Sequence, residues 1–159
     1  MSRIDKKIEE LGLVLPSELK LPPGVVLPFP WVSVRGNRVY ISGHGPQEED
    51  GSMSEPTGQV GSDVSIEKAR ELAEKTALSM LGSLKRELGD LDRIKAWNRV
   101  FGMVNSAPGF DKQPLVINGF SELILEIFGP EIGRHARSAV GMAGLPFGIP
   151  VEIEAEIEI

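Results

Sequence analysis

The clearest periodic pattern in the chain is an apolar stripe between Ser65 and Leu88. Its members recur at steps of three and four residues, the spacing that one buried face of an α-helix requires. Gly89 follows as a helix stop. A second helix is predicted to begin at Pro114, whose missing N–H costs nothing in a first turn, and to end at Gly129. The two stripes are Ile66, Ala69, Ala73, Thr76, Met80, Leu84 and Leu88, then Val116, Phe120, Leu123, Ile124 and Ile127.

Runs of β-favouring residues predict the strands. Trp31–Arg35 and Arg38–Ser42 flank Gly36-Asn37, a pair suited to the positive φ angles of a two-residue hairpin turn. These two runs therefore predict a β-hairpin. Three further strands are predicted, at Ile94–Val104, Ser138–Met142 and Val151–Ile159.

Residues 1–30 are predicted to be an appendage to a domain that spans residues 31–159. The appendage starts with a short helical pattern, Ile4–Leu11, and Gly12 ends it. The Pro-rich span from Pro16 to Pro30 lacks backbone donors at its prolines, so we expect an extended arm on the surface. Gly43–Gly61, rich in Gly, Pro, Ser and acids, is predicted to be a long loop.

The element order β-β-α-β-α-β-β predicts a two-layer α+β domain. Two amphipathic helices can cover one face of a mixed sheet of about five or six strands. A chain of 159 residues is long enough for one domain with its own core, and 41% apolar with 25% charged residues is ordinary globular usage. We therefore expect a single folded domain with the arm attached to it.

The composition narrows the chemistry. The chain has no cysteine, which excludes disulfides, thiolate nucleophiles and cysteine-based metal sites. A net charge of -6 and the lack of a Lys/Arg cluster argue against a nucleic-acid partner. His44 and His135 lack ligand spacing, so no metal is expected, and neither is a cofactor, because the glycines form no phosphate-binding motif. No membrane-spanning run or signal-peptide pattern is present in the sequence, so we expect a cytoplasmic protein without a membrane partner.

The last strand carries the most informative alternation. Its apolar residues point to one side, which must face the helices, and its glutamates point to the other. Successive carboxylates on that side lie roughly 6.5 to 7 Å apart and repel one another unless water or a cation separates them. An isolated subunit would leave this acidic face partly uncovered, which predicts an oligomer, a trimer. The glutamates are Glu152, Glu154, Glu156 and Glu158.

A cationic segment, Arg134-His135-Ala136-Arg137, opens the preceding strand. If that strand neighbours the last one, Arg137 and Glu152 meet at one sheet end, where they can hold an anionic substrate and manage a water molecule. Two plainer interpretations stay open. The glutamates can line a solvated face, and Arg137 can tie a sheet edge or a subunit interface together.

Several segments resemble motifs of one known family. Ile41-Ser42-Gly43 resembles its strand-ending Ser-Gly motif, and Asn118 lies where its second-helix motif falls. Arg137-Ser138-Ala139-Val140 resembles its Arg-Ser motif, and Leu145-Pro146 with Val151–Ala155 resembles its closing motif. The family is the YjgF, or reactive-intermediate deaminase (RidA), family, also described as endoribonuclease L-PSP. The likeness covers about residues 30–159, and the longer N-terminus is similar to that of a longer-chain subgroup.

The resemblance implies a chorismate-mutase-like fold and a homotrimer with pockets between its subunits. It implies cofactor-independent hydrolysis of enamines or imines of the 2-aminoacrylate type to a 2-keto acid and ammonia. By the same likeness Arg137 would grip the substrate carboxylate, Glu152 would position or activate the water, and the Gly43 backbone would help to seat the substrate. Trp31 would take the place of a pocket tyrosine. Ser42, His44 and Asn118 complete the expected substrate-binding residues.

The chain departs from the family pattern at three positions. His44-Gly45 stand where Gln is common, Ala139 stands where many members have Cys or Thr, and Trp31 replaces the usual tyrosine. These departures bear on the substrate more than on the fold. The alternative function is a non-catalytic trimer that binds a small carboxylated metabolite, such as an imine or keto acid, for metabolite sensing or buffering. A ribonuclease activity conflicts with the acidic charge balance.

Overall fold

The computed structural model describes all 159 residues and contains a five-stranded sheet with three α-helices. The order of strands across the sheet is β1-β2-β5-β3-β4. All neighbouring strands are antiparallel except β3 and β4, which run parallel, so the predicted mixed sheet is confirmed. The elements are α1 (Arg3–Glu10), β1 (Val32–Arg35), β2 (Arg38–His44), α2 (Ile66–Leu88), β3 (Ala96–Asn105), α3 (Gln113–Gly133), β4 (Ala136–Met142) and β5 (Val151–Glu158).

Helix α2 begins and ends at the residues that the sequence indicates. The Ser65 hydroxyl accepts a hydrogen bond from the Lys68 amide at the N-terminus, and Gly89 takes a positive φ of 76° after the last turn. The side chains of the predicted stripe are buried from Ala69 onward, whereas Ile66 is only half-buried. Helices α2 and α3 together cover one face of the sheet and enclose the core.

The sequence predicts that helix α3 ends at Gly129, but the helix continues past this residue. Gly129 leaves the helical conformation, with φ 79° and ψ 169°, but Pro130 starts one more turn that runs to Gly133. Proline fits the first turn after such a break because its ring presets φ and its missing N–H costs nothing there. The extra turn places His135 and Arg137 directly after the end of the helix.

The alternation of β5 is as the sequence predicts. Val151, Ile153, Ala155 and Ile157 are buried in the core under the helices. The glutamates lie on the face that no helix covers, where Glu156 accepts a hydrogen bond from Arg38 at 3.0 Å. This face is therefore a partly exposed surface of polar, charged and aromatic groups.

The arm from Pro16 to Pro30 contains no helix or strand and lies along the body. The loop after β2 is shorter than predicted because Gly43 and His44 complete β2. The remainder of that loop is pinned by isolated β-bridges, including Gln47 with Met53 and Val60 with Ser106. None of the helices has the length and apolar character that crossing a bilayer requires.

Candidate functional site

A β-bulge at Ser42-Gly43 shapes the centre of the candidate site. Ile41 pairs with Ala155 and His44 with Ile153, so three steps along β2 match two steps along β5. The bulge brings the Gly43 backbone against the Glu152 side chain. A Cβ atom at Gly43 would lie 2.9 Å from the Glu152 Cδ atom, closer than atoms can pack. Glycine is therefore what lets this carboxyl group lie against β2.

Glu152 is a carboxylate without a cation. No Lys, Arg or His forms an ion pair with it. Burial raises the pKa of Glu152, and the neighbouring charge of Glu154 raises it further. A group of this kind binds a proton more readily than an exposed glutamate does and can exchange it with a bound water or substrate.

Trp31 and His44 form an aromatic wall beside Glu152, with their ring centroids 5.1 Å apart. The His44 Nδ1–H donates to the Ser42 carbonyl oxygen at 2.6 Å, and its Nε2 accepts from the Ser83 hydroxyl at 2.9 Å. Burial is the main cause that lowers the pKa of His44 to about 4. His44 is therefore neutral, and both of its ring nitrogens are engaged within the protein, so the cavity meets only its ring.

Ser42 has a structural partner of its own. Its hydroxyl donates to the Pro30 carbonyl oxygen at 2.8 Å, which ties the end of the arm to the bulge. The Ser42 side chain is absent from the cavity lining, whereas Trp31, Gly43, His44 and Glu152 all belong to it. Within the bulge, Ser42 therefore anchors the arm, and Gly43 leaves room for the Glu152 side chain.

The cavity around Glu152 measures about 240 Å³. Its walls come from the arm, from the end of β2 and from the segment that precedes β5. Most of these side chains are apolar, a composition typical of small-molecule pockets. Further apolar lining residues are Leu19, Leu21, Leu27, Phe29, Phe147 and Ile149.

Arg137 and Asn118 form a second cluster, away from this cavity. The Arg137 Nη1 atom donates to the Asn118 Oδ1 at 2.8 Å and to the Ser121 Oγ at 3.1 Å. No carboxylate forms an ion pair with Arg137, and partial burial lowers the pKa of its guanidinium. It nevertheless stays charged, because an arginine starts from a pKa above 12. Arg137 is therefore a cation at the sheet edge that is positioned by hydrogen bonds and has no ion-pair partner.

A hydrogen-bond relay that sequence reasoning missed orients this guanidinium. The His135 Nδ1–H donates to the Gly133 carbonyl oxygen at 2.7 Å, so its Nε2 accepts from the Ser121 hydroxyl at 2.9 Å. The Ser121 oxygen in turn accepts from Arg137. The one available signal was the three-residue spacing of Asn118 and Ser121, which places both on the same side of α3.

The predicted meeting of Arg137 with Glu152 does not occur within one chain. The expectation needed β4 beside β5, but β3 lies between them. Arg137 pairs with Val100, which faces the helices, whereas Glu152 pairs with Met103, which faces away from them. The two charged groups therefore lie on opposite faces of the sheet, separated by a strand. Within the chain, Glu152 lies against Gly43, and Arg137 is hydrogen-bonded to Asn118.

No group of three or more His, Asp or Glu residues is arranged to hold a metal ion. The chemistry that the described groups support is acid–base work at Glu152 and anion binding at Arg137.

Comparison with known proteins gives this arrangement a family. The model of the family described as "YjgF/chorismate_mutase-like, putative endoribonuclease" matches residues 12–149. The chain belongs to this family, the YjgF/RidA family, and its α+β fold is that of the family's solved members.

Three relatives match over nearly the whole chain. Protein TCP17 of Trypanosoma cruzi is 38% identical, and the match covers 99% of this chain and 94% of that protein. The crystal structure of Atu1372, a protein with unknown function from Agrobacterium tumefaciens, is 42% identical with a TM-score of 0.85, covering 99% of this chain and 92% of that one. A putative endoribonuclease from Shewanella oneidensis is 28% identical with a TM-score of 0.86, covering 98% and 99%. These matches extend over the arm as well as the domain.

Proposed function

We propose that the protein hydrolyses reactive enamines or imines of small amino acids to a 2-keto acid and ammonia. The observation that carries the proposal is Glu152, an unpaired carboxyl group of raised pKa that lies against Gly43 at the edge of an apolar cavity. Membership of the YjgF/RidA family supports it. No cofactor is required, because an imine carbon is already electrophilic.

In the proposed reaction, an enamine first gains a proton at carbon and loses one from nitrogen, which converts it to the imine. Water then adds its oxygen to the imine carbon, Glu152 accepts a water proton, and that proton passes to the nitrogen, which has received the C=N electron pair. In the second step Glu152 takes the proton from the new hydroxyl group and the C=O bond forms. The C–N bond breaks, its electron pair stays on nitrogen, and the nitrogen takes the proton and leaves as ammonia.

The substrate carboxylate needs a cation, and the cavity of one chain has none. Arg137, which belongs to the Arg-Ser motif, is held by hydrogen bonds to Asn118 and Ser121 and has no carboxylate partner. Its planar fork suits bidentate binding of a carboxylate. Because Arg137 and Glu152 lie on opposite faces of one sheet, the proposal requires that one subunit supplies Glu152 and its neighbour supplies Arg137. A homotrimer with sites between subunits meets this requirement.

The test is ammonia and keto-acid release from freshly generated 2-aminoacrylate, with and without purified protein. We expect Glu152→Gln to lose most of the acceleration. Glu154→Gln, on the exposed neighbour of the same face, is the matched control and should keep it. Equal rates for the parent and Glu152→Gln would show that the assigned mechanism is wrong. Tight binding of keto acids with no turnover of any imine would instead support the non-catalytic alternative.

A ribonuclease activity gains no support from the site. The cavity has one charged lining group, an acid, and the chain carries a net charge of -6. Phosphate backbones are held by cations, so neither feature favours RNA. Incubation of the parent protein with single-stranded RNA at low and high salt, followed by gel analysis, should show intact RNA.

A further inference from the structure

The arm turns the Glu152 cavity into an apolar compartment. Leu19, Leu21, Leu27 and Phe29 of the arm face Phe147 and Ile149 of the segment before β5. Phe147 remains 66% exposed, although a large aromatic side chain is usually covered in a finished protein. An exposed phenylalanine at the mouth of an apolar cavity is a surface that a ligand with an apolar part would cover.

The arm is a fixed wall of this compartment. The Ser17 amide donates to the Glu49 carbonyl oxygen and the Lys20 amide to the Gly51 carbonyl oxygen, both at 2.9 Å. The Arg86 guanidinium donates to the Pro16 carbonyl oxygen at 3.0 Å. With the Ser42 bond to Pro30 at its other end, the arm is anchored on both sides of its apolar residues. The compartment is therefore formed before a ligand binds, which lowers the entropic cost of binding.

The charges around the compartment decide which part of a substrate it can hold. Glu152 is its one ionisable carboxyl group, His44 is neutral, and no Lys or Arg lines it. A substrate carboxylate is repelled from such a lining, whereas an apolar side chain gains by leaving water. Burial of each additional methylene strengthens binding by about fourfold. A one-carbon side chain such as the methylene of 2-aminoacrylate leaves most of the lining untouched.

We infer that the preferred substrate is a 2-imino acid with a bulky apolar side chain, branched aliphatic or aromatic, which occupies the compartment that the arm walls off. This inference rests on the proposed function, because it names the substrate class of the same site. The side chain lies among Leu21, Leu27 and Phe147, the imine carbon lies beside Glu152, and the carboxylate points out of the compartment. The arm is thus the specificity element of the site.

Binding of the stable keto-acid products tests the compartment without turnover. Calorimetric titration of the full-length protein with pyruvate, 4-methyl-2-oxopentanoate and phenylpyruvate should show both larger ligands binding at least about tenfold more tightly than pyruvate. Leu27→Ala should weaken the larger ligands by about fivefold or more and leave pyruvate unchanged. Val26→Ala is the matched control, since Val26 is the neighbouring arm residue, is 86% exposed and does not line the cavity.

Turnover is then measured with imines freshly generated from leucine, phenylalanine and the 2-aminoacrylate precursor. A higher kcat/KM for the two larger imines supports the inference. Equal affinities for all three keto acids, or equal effects of Leu27→Ala and Val26→Ala, would overturn it whatever the protein hydrolyses. Hydrolysis of 2-aminoacrylate alone would overturn it and uphold the proposed function. If both larger keto acids bind more tightly than pyruvate but no imine is hydrolysed, the apolar selectivity is upheld and the proposed function is wrong.

Discussion

Arg137 and Glu152 lie on opposite faces of the sheet, with strand β3 between the strands that carry them. Each is charged, and neither has an ion-pair partner in its own chain. One chain therefore holds two half-sites of opposite charge that cannot reach each other. If Arg137 and Glu152 act on one substrate, as proposed, they do so across a contact between copies of the chain.

This separation predicts complementation between inactive variants. Arg137→Ala and Glu152→Gln should each be inactive alone, but mixed trimers contain sites in which both native residues meet. If chains assemble at random from equal amounts, about a quarter of the sites regain both residues, because each half-site is native with a chance of about one half. The measurement is imine hydrolysis after the two variants are unfolded, mixed and refolded together. Separately refolded variants are the control, and a mixture no faster than its components contradicts a shared site.

The raised pKa of Glu152 predicts the acid side of the pH profile. As a proton acceptor, Glu152 must be ionised, so kcat/KM should fall as the pH drops through a pKa above the ordinary glutamate value of about 4.3. Glu154 contributes to the upward shift. Glu154→Gln should therefore move this limb to lower pH, whereas Glu152→Gln should remove it. If Glu154→Gln does not shift the acid limb of the kcat/KM profile, the assignment of that limb to Glu152 is wrong.

The relay from His135 through Ser121 predicts an effect on substrate binding. Ser121→Ala removes one acceptor of Arg137 and should raise KM for a carboxylated substrate by about fivefold, the equivalent of one hydrogen bond, with little change in kcat. Ser79→Ala is the control, because Ser79 is a buried serine that bonds only to its own helix. A loss in kcat alone, or the same KM change in both variants, would speak against a positioning role.

The close approach at the bulge predicts that Gly43→Ala damages activity more than stability. The new Cβ displaces the end of the Glu152 side chain, which is flexible, so the free energy of unfolding should fall by no more than about 1 to 2 kcal/mol. The rate kcat should drop at least about tenfold, because small displacements of a catalytic group are costly. In the matched variant Gly45→Ala, the same 2.9 Å approach meets Ile149 instead. Equal activity losses in the two variants would count against the role given to Glu152.

His44 predicts how stability depends on pH. The pKa of His44 is about 4 in the folded protein and near 6.5 in the unfolded chain. Its contribution to the free energy of unfolding is therefore complete above the unfolded pKa and is lost as the pH falls towards the folded pKa. Between about pH 7 and about pH 5 the loss is on the order of 2 kcal/mol. Urea unfolding should show a smaller acid-induced loss in His44→Gln than in the parent. Parallel losses in both proteins would mean that His44 is not held neutral.

The sequence predicted the fold well because its signals are local. The stripe of α2, the Gly36-Asn37 hairpin and the alternation of β5 each depend on residues close in the chain. The continuation of α3 past Gly129 was missed because a glycine followed by proline normally ends a helix, and here the turn restarts after the break. The bulge at Ser42-Gly43 was also missed, since it depends on pairing with a strand more than a hundred residues away.

The sequence named candidate site residues but could not give their arrangement. Motif resemblance named Gly43, Arg137 and Glu152, yet strand order cannot be read from sequence order, and the insertion of β3 between β5 and β4 separates the charged pair. The contribution of the arm was beyond reach for the same reason. Nothing local indicates that Leu27 and Phe29 would face Phe147, which lies at the other end of the chain.

Both histidines donate Nδ1–H to the carbonyl two residues earlier and accept a serine hydroxyl at Nε2. In both, burial lowers the pKa. With no cysteine in the chain, no side chain remains that ordinarily changes charge near neutrality. In the folded protein, histidine protonation is therefore displaced to lower pH. Under the proposed function, a change in rate near neutral pH then reports on Glu152 or on the imine rather than on a histidine.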